Sequence, residues 1–214
     1  GTYEVYHLAQ LKERPVLYDS VNNPTTPNAS KVGAFYKAFM DEARIEQLDD
    51  KPLQADLQKV RDLAGKEDLA RQMGRAAGGF GLGFFAPAIQ PDDGDPDRNA
   101  LRLFQSGIGM DDRDYYLTDG FKAQKAAYEA YAARTLKAIG WPDAEAAAHN
   151  VVAMETRIAE VSWNNADRRD SVKTYNAMST AELAALAPGF PWAAYFNGAG
   201  VGGIGRYDAA ARAD

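Results

Sequence analysis

Cysteine is absent from this chain, and histidine occurs only twice, at His7 and His149. The first absence excludes disulfides, thiol catalysis and cysteine metal ligands together. The second leaves no pair of histidines at the spacing of roughly three to five residues from which zinc sites are commonly built. A His-based metal site is therefore not expected. No apolar run approaches the roughly 18 residues that a membrane-crossing helix needs, and no secretory leader opens the sequence. Gly1 stands where an initiator methionine would, so the natural start is expected upstream. Basic residues do not cluster beyond Arg168-Arg169, and the net charge is -6, which argues against a nucleic-acid surface. No segment repeats at a period of roughly 20 to 50 residues.

What is present points to a globular, mostly helical protein. The 214 residues are 46% hydrophobic and 25% charged, enough for one large core or two small ones. From Ser30, read as an N-cap, Val32, Phe35, Phe39 and Ala43 recur at helical spacing. Leu53, Leu57, Val60 and Ala64 repeat the pattern, and Leu69 and Met73 continue it after a break at Gly65. Phe121, Tyr128, Ala132, Thr135 and Ile139 form a stripe that Gly140 and Pro142 end. Asp143 then caps a helix whose buried stripe is expected to be Ala147, Val151, Met154, Ile158 and Val161. These two long helices should lie antiparallel across a short joint. Ser179 and Glu182 form a capping box for a short helix before Pro188.

One segment interrupts the helices. Turn formers between Pro91 and Asp97 separate the apolar stretches 84–89 and 101–104, which predicts a β-hairpin. The expected fold class is therefore mainly α: a bundle-like helical domain with one β-hairpin set in at about residues 84–105.

The candidate chemical motifs are weak. Asp93, Asp95 and Asp97 alternate like the start of a calcium loop, but Arg98 and Phe104 stand where glycine and a bidentate carboxylate are required. A solvated hairpin turn is the better reading, with Asp92 to Asp97 dispensable. "GGFGLG" lacks both G-x-G-x-x-G and G-K-[ST] and does not follow a strand pattern, so close backbone packing explains it better than phosphate binding. Glu155 neighbours Met154 and Ile158 on a helix. Periodicity leaves two readings open, a buried carboxylate paired with an arginine or a solvent-facing one. The sequon Asn28-Ala29-Ser30 carries no weight. No catalytic, cofactor-binding or metal-ligating residue is assigned.

The stretch "QSGIGMDDRDYYL" changes the estimate. It resembles the Q-x-G-L-G-L-P-x-R-D-Y-Y-L signature of the neprilysin-like family of zinc metallopeptidases through Gln105, Gly107, Gly109, Arg113, Asp114, Tyr115, Tyr116 and Leu117. "KVGAFYKAFMDE", "PAIQPDDGDPDRN", "ETRIAEVSW", "RRDSVKTYNAMSTAEL" and "FPWAAYF" follow the family's order, so the resemblance covers nearly the whole chain. The signature residues make structural sense. Gly107 and Gly109 let the chain turn out of the hairpin, Arg113 is suited to pairing with a carboxylate, and Tyr115 and Tyr116 suit a seam between hairpin and helices.

The departures define what the resemblance implies. The family binds zinc through an H-E-x-x-H helix and an E-x-x-x-D glutamate downstream of it; H-E-x-x-H does not occur here, so no glutamate follows it. Met110 and Asp111 replace the signature's Leu-Pro. The resemblance thus implies one helical domain over residues 1–214, a fragment of the family's N-terminal half that carries no catalytic residue. Zinc is implied for the parent enzyme and not for this chain. The implied partners are the missing C-terminal catalytic half and, in the parent, small peptides whose chamber this region roofs. Export to a bacterial periplasm or cell surface is implied by the resemblance alone. The alternative is a stand-alone helical binding module without activity. At the tail, Phe190, Trp192, Tyr195 and Phe196 are the aromatics expected to be left partly uncovered.

Overall fold

The computed structural model describes residues 15–76, 83–202 and 206–209, with residues 15–18 and 206–209 described by backbone alone. His7 and most of "GGFGLG" lie outside the described residues. Helices dominate and the hairpin is present, as the sequence predicts. The chain groups into two compact units, Gly1–Arg61 and Asp62–Asp214.

In the first unit, α1 (Pro15–Asn22) packs on α2 (Pro27–Phe39). Gly33 makes this crossing possible, because a Cβ there would fall 2.0 Å from the Ser20 carbonyl oxygen. The helix begins before Ser30. Pro27 occupies its first turn and Thr26 is the cap, accepting a 3.1 Å bond from the Ala29 amide. The apolar residues spaced for one helical face are not buried here, since Val32, Phe35 and Phe39 are exposed, Phe35 by 74%. The helix buries its glycine side, and Phe35 and Phe39 stack on each other at 6.3 Å. Helices α3 (Glu42–Leu48) and α4 (Gln54–Arg61) complete the unit.

The second unit opens with α5 (Lys66–Ala76), just after the predicted break at Gly65, and packs it against α11 (Trp192–Gly198). Each helix offers the other a glycine. A Cβ on Gly74 would meet the Tyr195 carbonyl oxygen at 2.1 Å, and one on Gly198 would meet that of Arg71 at 2.2 Å. The core joins Ala70, Met73, Leu101, Leu103, Leu183, Tyr195 and Phe196, with Phe85, Phe190 and Trp192 packed on it. Tyr195 and Phe196 are buried, which corrects the expectation for these two, while Phe190 and Trp192 are half-buried and so partly uncovered. The partner that covers them is local. Phe85 on the hairpin lies 4.9 Å from Tyr195 and 5.3 Å from Phe190, ring to ring.

The hairpin pairs β1 (Phe85–Asp92) with β2 (Asp95–Gln105) antiparallel. It does not stand alone. Strand β4 (Arg206–Ala209) lies parallel to β2 and antiparallel to β3 (Ala177–Ser179), giving the order β1-β2-β4-β3. After the short α6 (Asp114–Leu117), the helices α7 (Lys122–Ala138) and α8 (Ala144–Val161) pack side by side across a short joint, where Gly140 has φ +67°. Asp143 holds the N-cap position of α8, but in the left-handed region and with no side-chain cap bond. The buried face of α8 is also rotated from the expected one. Ala144, Ala148, Val152, Glu155 and Ala159 face inward, while Met154 and Val161 are exposed. Small residues let α7 approach closely, so packing prefers the alanine face to the bulkier one. After α9 (Ser171–Thr174), the predicted capping box opens α10 (Thr180–Leu186): Glu182 bonds the Ser179 amide and the Ser179 hydroxyl bonds the Glu182 amide.

Candidate functional site

The site with the densest polar geometry lies where the chain leaves β2 and enters the helices. Gln105, at the end of β2, grips the backbone of Trp163 just past α8. Its side-chain amide donates to the Trp163 carbonyl at 3.1 Å and its oxygen accepts from the Trp163 amide at 2.9 Å. This pair of bonds replaces a strand partner with a side chain and fixes the hairpin exit to the helix exit. The chain then turns at Gly107, where φ is +87° and an added Cβ would sit 3.0 Å from the Phe84 Cα. Only glycine satisfies both demands.

Arg113 was expected to meet a carboxylate. Its guanidinium instead donates to the carbonyl of Ser162, the C-cap of α8. A cation at a helix C-terminus satisfies an orphan carbonyl and the negative end of the helix dipole together. Asp114 opens α6, its amide bonded to the Asp112 carboxylate at 2.9 Å. Tyr115 stacks on Phe121 at 4.4 Å.

Tyr116 is the hub. Its hydroxyl accepts from the amides of Gly109 at 3.0 Å and Met110 at 2.9 Å and donates to Glu155 Oε2 at 2.8 Å. Tyr128 on α7 donates to Glu155 Oε1 at 3.1 Å. Glu155 is therefore the buried carboxylate that the sequence left open, but its partners are two phenols and not an arginine. Burial first, and the Glu155 charge after it, pushes the Tyr128 hydroxyl up to about 12. Tyr116 is raised too, burial again being the largest cause, with the Met110 amide pulling the other way and Glu155 adding to the rise. Both phenols thus stay protonated donors across the physiological range. Lys125 donates to the Tyr116 carbonyl at 3.0 Å and lies 6.0 Å from its ring centre.

The arrangement ties four elements at one carboxylate: the hairpin exit through Gly109 and Met110, α6 through Tyr116, α7 through Tyr128, and α8 through Glu155. It contains no nucleophile beside a base. His149 sits apart on the exposed side of the helix pair, 3.1 Å from Glu129. At the hairpin tip the acidic run is not uniformly solvated. Asp92 is buried, accepting from the Gly94 amide at 2.9 Å and from the Tyr175 hydroxyl at 2.8 Å, while Asp93 pairs with Arg102 and Asp95 with Arg98.

The N-terminal model of peptidase family M13 matches residues 3–210. The chain belongs to peptidase family M13. The family is one of zinc metallopeptidases, and the match is to its N-terminal domain. Among curated relatives, the chain is 26% identical over 210 residues to endothelin-converting enzyme-like 1 of Mus musculus, covering 90% of this chain and 26% of the relative. It is 29% identical over 178 residues to endothelin-converting enzyme 1 of Homo sapiens, covering 78% of this chain and 23% of the relative. The M13 chain thus spans about a quarter of the length of the curated relatives it matches. Among solved structures it resembles the Mycobacterium tuberculosis zinc metalloprotease Zmp1 in its open state, with TM-score 0.83 and 25% identity, covering 99% of this chain and 34% of that one. PepO of Lactobacillus rhamnosis shares the fold, with TM-score 0.70 and 20% identity over 96% of this chain and 34% of that one.

The family's zinc does not fit the residues described here. No group of three or more His, Asp or Glu side chains among them is placed to hold a metal ion. No helix of the described residues is long and apolar enough to cross a membrane.

Sequence reasoning picked out the signature residues and left Glu155 open. It missed the tyrosine partners of Glu155 and the backbone anchors Ser162 and Trp163. Tyr128 stood on the predicted α7 stripe, so a tyrosine facing a buried carboxylate was the available signal. A carbonyl acceptor such as Ser162 leaves no mark in sequence.

Proposed function

We propose that this chain works as one region of a longer zinc metallopeptidase that hydrolyses small peptides, and that its own part is to shape the substrate chamber. The observation that supports this most is the match over residues 3–210 to the family's N-terminal domain, in a sequence without H-E-x-x-H. On this reading zinc and the reacting groups belong to a C-terminal half that docks on this region, and the small peptides reach them through the chamber. The tyrosine–carboxylate knot keeps the hairpin and the helix pair in fixed register, as a chamber wall requires. The parent enzyme is proposed to be exported to a periplasm or cell surface.

The test is the natural gene product. Its mass should far exceed 23.3 kDa. It should cleave short peptides in a chelator-sensitive way, and the 214-residue chain alone should not. A natural product of this length without peptidase activity would favour a stand-alone binding module.

A further inference from the structure

A cavity of about 290 Å³ opens beside Gly107 and Gly109. Leu69, Met73, Phe84 and Met154 supply apolar walls, and Tyr128 and Glu155 supply its polar end. We infer that this cavity is a binding site for a small organic cation, a protonated primary amine carried on an apolar body.

Charge is the first argument. Glu155 is only 8% exposed, and among the described residues no Lys, Arg or His pairs with it. Lys125, the cation beside Tyr116, is bonded to a backbone carbonyl. Two phenol donors lower the cost of burying a carboxylate but bring no positive charge to offset it. Each carboxylate oxygen accepts one bond from a tyrosine, which leaves acceptor capacity on both.

Preorganisation is the second. The Tyr116 hydroxyl is held by two backbone amides, so it cannot turn away from Glu155. Fixed donors hold the carboxylate in one orientation before any ligand arrives, and little ordering entropy is left to lose. Gly109 makes room for these groups to converge. A Cβ there would fall 2.0 Å from the Tyr128 hydroxyl and 3.3 Å from Glu155 Oε1.

Size is the third. An apolar cavity of about 150 Å³ accommodates benzene. The larger volume here has room for a six-membered ring on the Leu69–Met73–Phe84–Met154 walls with a short ammonium arm reaching Glu155. The inference does not depend on peptidase activity.

The experiment is a heteronuclear NMR titration of the chain with 2-phenylethylammonium and, separately, with 2-phenylethanol, its uncharged counterpart. Saturable shifts are expected at the Gly107 and Gly109 amides, with the ammonium binding at least about tenfold more tightly than the alcohol. Glu155→Gln should bring the ammonium down to the affinity of the alcohol. Equal binding of the two compounds by the unaltered chain, unchanged ammonium affinity in the variant, or no saturable shift at millimolar ammonium would each overturn the assignment. If Glu155→Gln does not fold, the comparison of the two compounds on the unaltered chain decides alone.

Discussion

Two aspartates five positions apart separate what a side chain is from what it does. Asp97 is exposed, whereas Asp92 is 2% exposed and accepts two hydrogen bonds. Asp97→Ala should stay within about 0.5 kcal/mol of the parent. Asp92→Ala should cost about 1 to 3 kcal/mol, because it removes a buried carboxylate that accepts from a half-buried hydroxyl and a turn amide. Urea unfolding of the two variants checks this, and equal midpoints would contradict it. The sequence shows six residues of one acidic run and cannot show that Tyr175, far along the chain, reaches back to one of them. The phenols of the knot make a second prediction, in alkali. The Tyr128 value is raised from 10.0 to about 12, so its contribution is full below pH 10 and is lost as pH rises through 12. Tyr116 is raised as well and adds to the same loss. Stability should therefore fall steeply between about pH 10 and 12, and Tyr128→Phe should make that fall shallower. Denaturation midpoints measured across that range are the check.

Elements were legible in proportion to how locally they are specified. The hairpin could be read because turn formers sit between two apolar stretches, and the capping box because Ser179 and Glu182 lie three apart. Strands β3 and β4 could not be read. Three and four residues carry too little alternation, and their pairing rests on backbone bonds that any sequence offers. The buried face of α8 was misplaced by one residue, about 100° of rotation. Periodicity weights the large side chains Met154 and Val161, while the neighbouring helix selects for small ones. The glycines of α5 and α11 extend the same lesson to energetics. Neither looks special in sequence, yet each lies where a methyl group would overlap the opposite backbone. Gly198→Ala should force α5 and α11 apart and cost about 1 to 3 kcal/mol, as overpacked cores do. Gly65→Ala, with nothing within 4 Å of its Cβ position, should not. Paired thermal melts of the two variants test the contrast.

For the molecule as a whole, the metal prediction is the sharpest. The described residues bring no metal-binding group together, and the chain has two histidines and no thiols. After dialysis it should retain no stoichiometric zinc. One tightly held zinc per chain, lost when His7 and His149 are replaced, would contradict the proposal that the metal chemistry lies elsewhere. The exposed Phe35 and Phe39 belong to the same scale, as apolar surface on which the proposed C-terminal half would gain by packing.

The parallel pairing of β2 with β4 also sets a clock. Leu101 pairs with Tyr207, so the two partners leave the ribosome about 100 residues apart. At roughly 5 to 20 residues per second, the inner edge of the hairpin waits on the order of 5 to 20 seconds for its neighbour. The outer edge carries Pro87 and Pro91, which offer no N–H to a stray strand, but β2 has only Pro96 near its start. Nascent chains stalled before residue 206 should therefore be the ones that chaperones hold and that associate when released. Extending the stalled chain past 209 should end that vulnerability.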